Sequence, residues 1–313
     1  MPAQRKRPPQ TQPASLVWPT TRTSRETAGR ARQHSLHRPQ RQSLLCPSVK
    51  ESSDLVKELR SNHHGALLFG QHVMFPQGPH QRQRGDVLNC PPKRGDGRRL
   101  PLEVALMTMV SQPSSCSNVL RLLEWFEEPN HYILVLERPS PCSDLFDFYR
   151  IFDGRLSEVQ ARQIFRQVVE ALIHCRNCGV FHRDVKSDNI LVNLNDWTVK
   201  LIDFGCGDLY KHSPYDKFRG TLDYCPPEYF LNRSYEASPA TTWTLGVLLF
   251  EMVCGDLPFE GRREVIRNQP RFTTRVSKEC HDLISSCLSM DPHERPVLED
   301  ILAHDWLSGQ NFF

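Results

Sequence analysis

Apolar residues follow a regular pattern only from about residue 100 onward. Helical spacing over residues 101–110, with Pro101 suited to a first turn, predicts the first helix. Two apolar runs that follow, over residues 119–126 and 132–136, predict strands joined by a turn. The pattern therefore begins with a small, partly sheet region, and a longer helical region comes after it.

The later part of the pattern is mainly helical. Ser157 opens a long amphipathic helix, and Gly179 ends it because glycine suits the left-handed conformation past a helix end. The most apolar helix, over residues 239–254, is interrupted by polar residues, so we expect a buried core helix and no membrane span. The other predicted elements are a short helix over 144–149, strands over 190–192 and 199–202, and helices over 276–288 and 296–304.

Residues 1–98 differ from the rest in composition and charge. They are rich in Pro, Arg, Gln and Ser and cannot bury enough apolar surface to offset ordering entropy, which predicts a disordered basic tail. Residues 1–100 hold 18 Lys/Arg and 6 Asp/Glu, a net charge of +12, and the remaining 21 basic and 30 acidic residues give −9. The positive charge is the one feature of the tail that favours nucleic-acid binding. Charge without a recognisable binding motif is weak support, so we do not expect nucleic acid as a partner.

The cysteines indicate a reducing compartment. Residues 1–20 lack the apolar core of a secretory signal, and the 11 cysteines are odd in number and scattered. We therefore expect a cytoplasmic or nuclear protein. Positions 1–50 contain one acidic residue, and such scarcity is typical of a mitochondrial transit peptide. The seven prolines in the same stretch argue against this interpretation, because a transit peptide must form an amphipathic helix. We interpret Cys175 and Cys178, a lone C-x-x-C, as small apolar helix residues.

Two motifs in the helical region carry chemistry. His182-Arg183-Asp184 is followed by Lys186 and Asn189 in the pattern H-R-D-x-K-x-x-N. Asp203-Phe204-Gly205 comes fourteen residues after Asn189. The two motifs at this spacing are the signature of protein kinases.

Phosphoryl transfer explains these residue types. The reaction needs an oriented hydroxyl, magnesium to neutralise phosphate charge and a positive group near the moving phosphate. Asp184 is predicted to orient the substrate hydroxyl and take its proton, with Lys186 beside the γ-phosphate. Asn189 and Asp203 offer the hard oxygen ligands that Mg²⁺ prefers. Gly220-Thr221 matches the part of protein kinases that holds the substrate beside Asp184, which implies this role for Thr221.

Four segments of the chain resemble the Pim family of serine/threonine protein kinases. They are LERPSP at 136–141, DLFDF at 144–148, HCRNCGV at 174–180 and MVCGDLPFE at 252–260, within a resemblance over residues 99–307. The resemblance implies an α+β, two-lobed protein-kinase-like fold over residues 99–308. A truncated N-terminal lobe would occupy 99–138, and an intact, mainly helical C-terminal lobe 139–308.

The resemblance also implies ligands and roles. ATP and Mg²⁺ are the expected cofactors, with Glu103, Glu137 and Arg138 in the ATP site. Glu228 is expected to form a buried structural ion pair with Arg295. The segment from Asp203 to Glu228 would be the activation segment. The activity implied is transfer of the γ-phosphate of ATP to Ser/Thr without a need for phosphorylation of that segment.

The substrates implied are proteins with arginines before the phosphorylated residue. The charge of −9 on the later part of the chain is an independent reason, because carboxylates beside the peptide groove would favour arginine. The alternative for any one carboxylate is a solvated acidic face. The predicted contacts are Asp144, Asp147, Asp188 and Asp256, with Glu260 nearby. We expect a monomer.

The ATP-clamping part of the kinase pattern is missing from the sequence. Neither G-x-G-x-x-G-x-V nor a V-A-I-K lysine precedes Leu100, and Lys93 lies in a Pro/Arg/Gly-rich stretch without strand character. Glu103 matches the glutamate that pairs with that lysine. The small lobe is therefore predicted to keep a two-stranded hairpin and one helix, and a lone hairpin is marginal in water.

Two classes of function stay open at this point. The first is a serine/threonine protein kinase. The second is a catalytically inactive kinase-derived binding module, either a pseudokinase or the product of an incomplete gene model. Intact Asp184, Lys186, Asn189 and Asp203 favour the first. The missing glycine loop and lysine favour the second, because this chemistry depends on positioning and charge stabilisation.

Overall fold

Strands come early and helices late in the part of the chain that the structure describes. The computed structural model describes residues 69–73, 87–88, 100–112, 116–127, 132–267 and 270–309. These residues belong to one compact unit, Leu44–Phe313. Among them, no helix is long and apolar enough to cross a membrane.

A three-stranded antiparallel sheet forms the small lobe, in the order β1-β5-β4. Its strands are β1 (Phe69–Val73), β4 (Leu122–Glu127) and β5 (Tyr132–Leu136). A second pair joins β2 (Val87–Leu88) to β3 (Leu100–Pro101), and helix α1 (Leu102–Val110) follows β3 directly. The buried positions of α1 include Val104, Leu106 and Met107, which join the main hydrophobic core.

Two strands lie where the sequence places a disordered tail. β1 and β2 precede residue 99, so the prediction of disorder over all of residues 1–98 is wrong for these two segments. The sheet also has three strands where a two-stranded hairpin is predicted, and a third strand is what gives a small sheet independent stability. The sequence of β1, FGQHV, does not alternate clearly between apolar and polar residues, and its partner β5 is distant in the chain. For these two reasons β1 is not predicted from the sequence. The other residues of the predicted tail lie outside the described residues.

The large lobe contains the predicted helices with small shifts in their ends. Ser157 caps the long helix α3 in a reciprocal capping box with Gln160. The predicted strand over 119–126 is shorter, because Val119 instead forms an isolated bridge with Leu201 of the large lobe. The elements are β6 (Cys142–Asp144), α2 (Leu145–Arg150), α3 (Glu158–Asn177), β7 (Val180–Phe181), β8 (Ile190–Asn193), β9 (Val199–Leu201), β10 (Asp208–Leu209), α4 (Pro227–Asn232), α5 (Ala237–Cys254), α6 (Arg262–Val265), α7 (Lys278–Cys287), α8 (Leu298–Ala303) and α9 (Asp305–Ser308).

Helix α5 is the buried centre of the large lobe. Its apolar residues continue around most of the helix, so it must be covered on nearly every side. Trp243, which is fully buried, stacks on Phe259 with ring centroids 5.6 Å apart. The predicted buried ion pair lies nearby. Arg295 Nη2 is 2.7 Å from Glu228 Oε2, and Nη1 is 3.0 Å from Oε1.

Replacing Arg295 tests how much the Arg295–Glu228 ion pair contributes to the stability of the fold. Arg295→Ala strands the buried Glu228 carboxylate and removes hydrogen bonds to two backbone carbonyls. We expect a loss of about 3–5 kcal/mol in the free energy of unfolding, measured by urea denaturation. The exposed Arg275→Ala serves as the matched control and should change stability by less than about 0.5 kcal/mol. Equal stability of the two variants would contradict the structural role.

Candidate active site

The carboxylate of Asp184 is the centre of the candidate site. It is 8% exposed and follows Arg183, whose φ of 67° lies in the left-handed region. Its Oδ1 accepts hydrogen bonds from the backbone N–H and the hydroxyl of Thr221, both at 2.8 Å. Asp184 and Thr221 are therefore in direct contact, as predicted.

Lys186 and Asn189 complete the group around this carboxylate. Lys186 Nζ donates to Thr221 Oγ1 at 2.8 Å and lies 3.5 Å from Asp184 Oδ2. Asn189 Nδ2 donates to the Asp184 backbone oxygen at 2.8 Å and to Oδ2 at 3.1 Å. Gly220 permits this approach, because a Cβ at that position would lie 2.4 Å from the backbone oxygen of Arg183. Its φ of 124° also requires glycine.

The Asp203-Phe204-Gly205 motif lies beside the same loop. Asp203 is exposed and has a φ of 66°, and its Oδ1 accepts from the backbone N–H of Gly205 at 3.1 Å. Phe204 is fully buried and packs edge-on to His182, 4.8 Å between ring centroids. Burial lowers the pKa of His182 below its ordinary value of 6.5. His182 is thus a structural member of the motif, with its Nε2 3.0 Å from the Ile202 carbonyl.

An internal ion pair holds the start of the activation segment. Arg183 Nη1 lies 3.2 Å from Asp208 Oδ2, and Arg183 Nε donates to the Cys206 carbonyl at 2.7 Å. The Arg183 guanidinium also lies over the ring of Tyr215, 5.9 Å from its centroid. Asp208 was not singled out from the sequence, since its pairing with Arg183 depends on β10 lying against β7.

Glu103, on α1, points towards Asp203. A Cβ added at Gly205 would lie 3.8 Å from Glu103 Oε2 and 3.1 Å from Asp203 Oδ1, which puts both carboxylates beside one residue. Glu103 is 8% exposed, and among the described residues it has no hydrogen bond or ion pair. Burial, with a smaller contribution from the negative charge of Asp203, raises the pKa of Glu103 to about 7.

Glu137 lies in the segment that joins the two lobes, and its side chain binds other residues of the protein. Its Oε1 accepts from the backbone N–H of Arg121 at 2.8 Å and from Lys200 Nζ at 2.7 Å. The side chain of Glu137 therefore joins this segment to β9. Arg138 is exposed. Lys200 is not predictable as a partner of Glu137 from the sequence, because nothing local links the two residues.

Comparison with known protein families matches residues 92–307 to the family described as "Protein kinase domain". The chain belongs to the protein kinase family. The match begins a few residues before the predicted start at 99. Members of this family phosphorylate protein substrates and generally use ATP and Mg²⁺.

The relatives of this kinase confirm the predicted resemblance to the Pim family. Serine/threonine-protein kinase pim-2 of Danio rerio is 44% identical over 218 residues, which cover 68% of this chain and 70% of the relative. Serine/threonine-protein kinase prk-2 of Caenorhabditis elegans is 40% identical over 221 residues, 69% of this chain and 49% of the relative. The chain is thus a Pim-like kinase with the predicted α+β fold.

The predicted arginine contacts of this Pim-like kinase lie in several environments. Asp144 caps α2 by accepting from the backbone N–H of Asp147 at 2.8 Å. Asp147 is 3.4 Å from Arg150, and both side chains are largely exposed. Asp256 is exposed and accepts from the Leu257 backbone, whereas Asp188 is half-buried. Their roles in substrate binding stay predictions.

The stability of the kinase should depend on the protonation of Glu103. A pKa raised from 4.5 to about 7 on folding means that the folded chain binds the proton more tightly than the unfolded chain does. The stabilisation from the bound proton is fully present below about pH 4.5 and is lost as the pH rises through about 7. Between pH 5 and pH 8 the wild type should lose about 2 kcal/mol more than Glu103→Gln does. Urea denaturation across this range measures the difference.

The control for that measurement is Glu279→Gln, an exposed glutamate on α7. It should follow the wild-type pH dependence. A Glu103→Gln variant with the wild-type slope would mean that a cation keeps Glu103 ionised at neutral pH.

Proposed function

We propose that this chain transfers the γ-phosphate of ATP to serine or threonine hydroxyls of proteins that carry arginines near the phosphorylated residue. The observation that supports the proposal is the assembled group of Asp184, Lys186, Asn189 and Thr221 around one buried carboxylate. Asp184, Lys186 and Asn189 come from the loop between β7 and β8, residues 182–189, which we call the catalytic loop, and Thr221 directly follows Gly220. An oriented carboxylate with a cation at 3.5 Å is the arrangement that a transferring phosphate and an attacking hydroxyl require.

The proton and bond changes follow from the positions of these groups. The substrate hydroxyl donates to Asp184, which takes the proton as the hydroxyl oxygen forms its bond to the γ-phosphorus. The bond from that phosphorus to the bridging oxygen of ADP breaks, and ADP leaves with the electron pair. Lys186 stabilises the negative charge on the moving phosphate, and Thr221 fixes both Lys186 and Asp184 through its hydroxyl.

The donor set fits a magnesium ion. Asp203 presents an exposed carboxylate, and the amide nitrogen of Asn189 is used by Asp184, which leaves the amide oxygen as its ligand atom. Carboxylate and amide oxygens are hard ligands of the kind Mg²⁺ prefers. When bound, the ion would neutralise phosphate charge. The backbone of Glu137 and Arg138 would accompany the adenine, with fewer donors than usual because Pro139 and Pro141 have no N–H.

An inactive, kinase-derived binding module is the second candidate. The observation that favours it is the buried Glu103 carboxylate, which has no cation beside it among the described residues. Within the described part of the chain, the Glu103 carboxyl group therefore offers no positive charge to the phosphates. Isothermal calorimetry with Mg-ATP separates the candidates, since the module would show no binding and the kinase would bind.

Replacing Asp184 tests the catalytic proposal. Asp184→Asn keeps the size of the side chain but removes the base, and we expect transfer to an arginine-rich serine peptide to fall below about 1% of wild type. Asp300→Asn, an exposed aspartate on α8, controls for the substitution itself and should leave the rate unchanged. Transfer that persists in Asp184→Asn would refute the assignment. Absence of transfer in the wild type would favour the module.

Substrate charge gives a second test. Asp147→Asn and Asp256→Asn each remove an exposed carboxylate from segments predicted to flank the peptide. Exposed ion pairs contribute about 0.2–1 kcal/mol, so the KM for an arginine-rich peptide should rise up to about fivefold in each variant, with kcat unchanged. A peptide with glutamine in place of arginine should show no such difference. Equal effects on both peptides would contradict arginine recognition by these residues.

A further inference from the structure

The charge of the chain reverses over one short stretch of the large lobe. Residues 261–277 contain five arginines and a single acidic residue, Glu264, which gives a net charge of +4. Residues 101–313 hold 21 basic and 30 acidic residues, so outside this stretch they hold 16 and 29, a net charge of −13. A positive stretch in so acidic a lobe attracts anions locally, because a surface responds to the charges nearest to it.

Two of the arginines lie on one face of a helical turn. Arg263 belongs to α6, and the helical backbone continues past the end of α6, because the Arg267 N–H donates to the Glu264 carbonyl at 3.1 Å. Arg263 and Arg267 are four residues apart, so their side chains are neighbours, and both are exposed. Like charges at this spacing repel each other, so this pair does not stabilise the turn.

Three more arginines lie along the segment that leads from this turn into α7. Arg271 and Arg275 are both exposed. Arg155, in the loop between α2 and α3, donates to the Thr274 hydroxyl at 2.8 Å, which brings its guanidinium beside Arg275. Arg267 and Arg271 are four residues apart, so at most about 14 Å separates their Cα atoms. The two groups of arginines therefore form one continuous surface.

The fold itself makes little use of these charges. We call the five exposed residues the arginine surface: Arg155, Arg263, Arg267, Arg271 and Arg275. Within the described part of the chain, none of the five forms an ion pair. Arg262 is not a member, because it donates to the Phe230 carbonyl at 3.2 Å and lies over the Phe230 ring.

We propose that the arginine surface binds an aspartate- or glutamate-rich segment of a partner protein. Each guanidinium presents a planar fork of donors that matches the two oxygens of a carboxylate. Clustered positive charge also speeds the association with an acidic partner. The proposal goes beyond the phosphoryl transfer proposed above and does not depend on it.

Other copies and segments of this chain fit the surface less well. Residues 1–100 carry a net charge of +12, so the arginine surface repels the N-terminal part of the chain. A second copy of the chain would have to offer a different, acidic surface. Such a head-to-tail contact does not close into a dimer, and it would extend into a chain of copies or a ring.

Nucleic acid and lipid also fit less well than a protein. The aromatic ring of the stretch, Phe272, packs on Phe250 and His281, with ring centroids 5.1 and 4.4 Å away, so it does not offer a free face to a nucleotide base. Among the described residues, the large apolar side chains that are exposed lie outside residues 261–277, so the stretch offers no apolar anchor to a bilayer.

Fluorescence anisotropy tests the proposal with the full chain and a fluorescein-labelled, glutamate-rich peptide. We expect the double variant Arg271→Glu with Arg275→Glu to raise the Kd at least about tenfold, because each exposed ion pair contributes up to about fivefold and reversed charges repel the peptide. Arg271→Lys with Arg275→Lys keeps the charge but loses the fork, so its Kd should lie between those of the wild type and the reversed variant.

The matched control is Lys217→Glu, which makes the same charge change as Arg275→Glu at an exposed position before Gly220. It should bind the peptide as the wild type does, whereas Arg275→Glu alone should raise the Kd several-fold. Equal losses in these two single variants would overturn the proposal, because they would indicate a response to net charge. A wild type that binds the glutamate peptide no better than its glutamine counterpart would also overturn it.

Two further measurements decide between the possible occupants. Tighter binding of a single-stranded DNA oligonucleotide than of the peptide, at the same salt concentration, would overturn recognition of carboxylates. Self-association seen by sedimentation and abolished in the reversed variant would replace the partner with a second copy. Urea denaturation of the reversed variant should match the wild type, and a lower stability would mean that the arginines serve the fold. Peptide binding needs no transfer, so an inactive wild type would refute the proposed function alone.

Discussion

The carboxylate of Asp184 can be buried only where donors surround it, and much of the active site is arranged to supply them. Thr221, thirty-seven residues later in the chain, contributes two hydrogen bonds, and Asn189 contributes a third. These bonds draw the segment after Gly220 against the catalytic loop. The left-handed backbone at Arg183 is kept there because the bonds over-determine the loop, as is common where strain serves a site.

Helix α5 supplies the fixed frame for that arrangement. Because it has no polar face, its surroundings must pack against it from most directions, and its few polar groups become anchors. Glu251 is one such anchor, with three hydroxyl donors. Arg295 lies outside the helix and contacts it from another segment: it is paired with Glu228, donates to the Pro239 carbonyl of α5 at 3.0 Å and lies 5.0 Å from the centre of the Trp243 ring. Both contacts join α5 to elements distant in sequence, which explains how one apolar helix can position polar loops around it.

Local signals predicted the elements and contiguous motifs well, and non-local pairings were the parts missed. The Ser157–Gln160 capping box, the Asp184 motif and the short helix capped by Asp144 are each set within a few residues. The third sheet strand depends on β5 pairing with a distant, weakly patterned segment. The partners of Glu137, and the donors to Glu251, depend on tertiary packing and leave no trace in residue spacing.

The sequence has no V-A-I-K lysine to pair with Glu103, and this has two separate consequences. The buried Glu103 carboxylate would lack a compensating charge, and the phosphates of ATP would lack a positive contact. A proton on Glu103 would solve the first, because a neutral carboxyl group can stay buried beside Asp203 without repulsion. It does nothing for the second, since a neutral group does not attract phosphate. The kinase fold can therefore persist whether or not the chain is active. In the proposed reaction, stabilisation of the moving phosphate would therefore fall more heavily on Lys186, a cation held by Thr221 beside the Asp184 carboxylate.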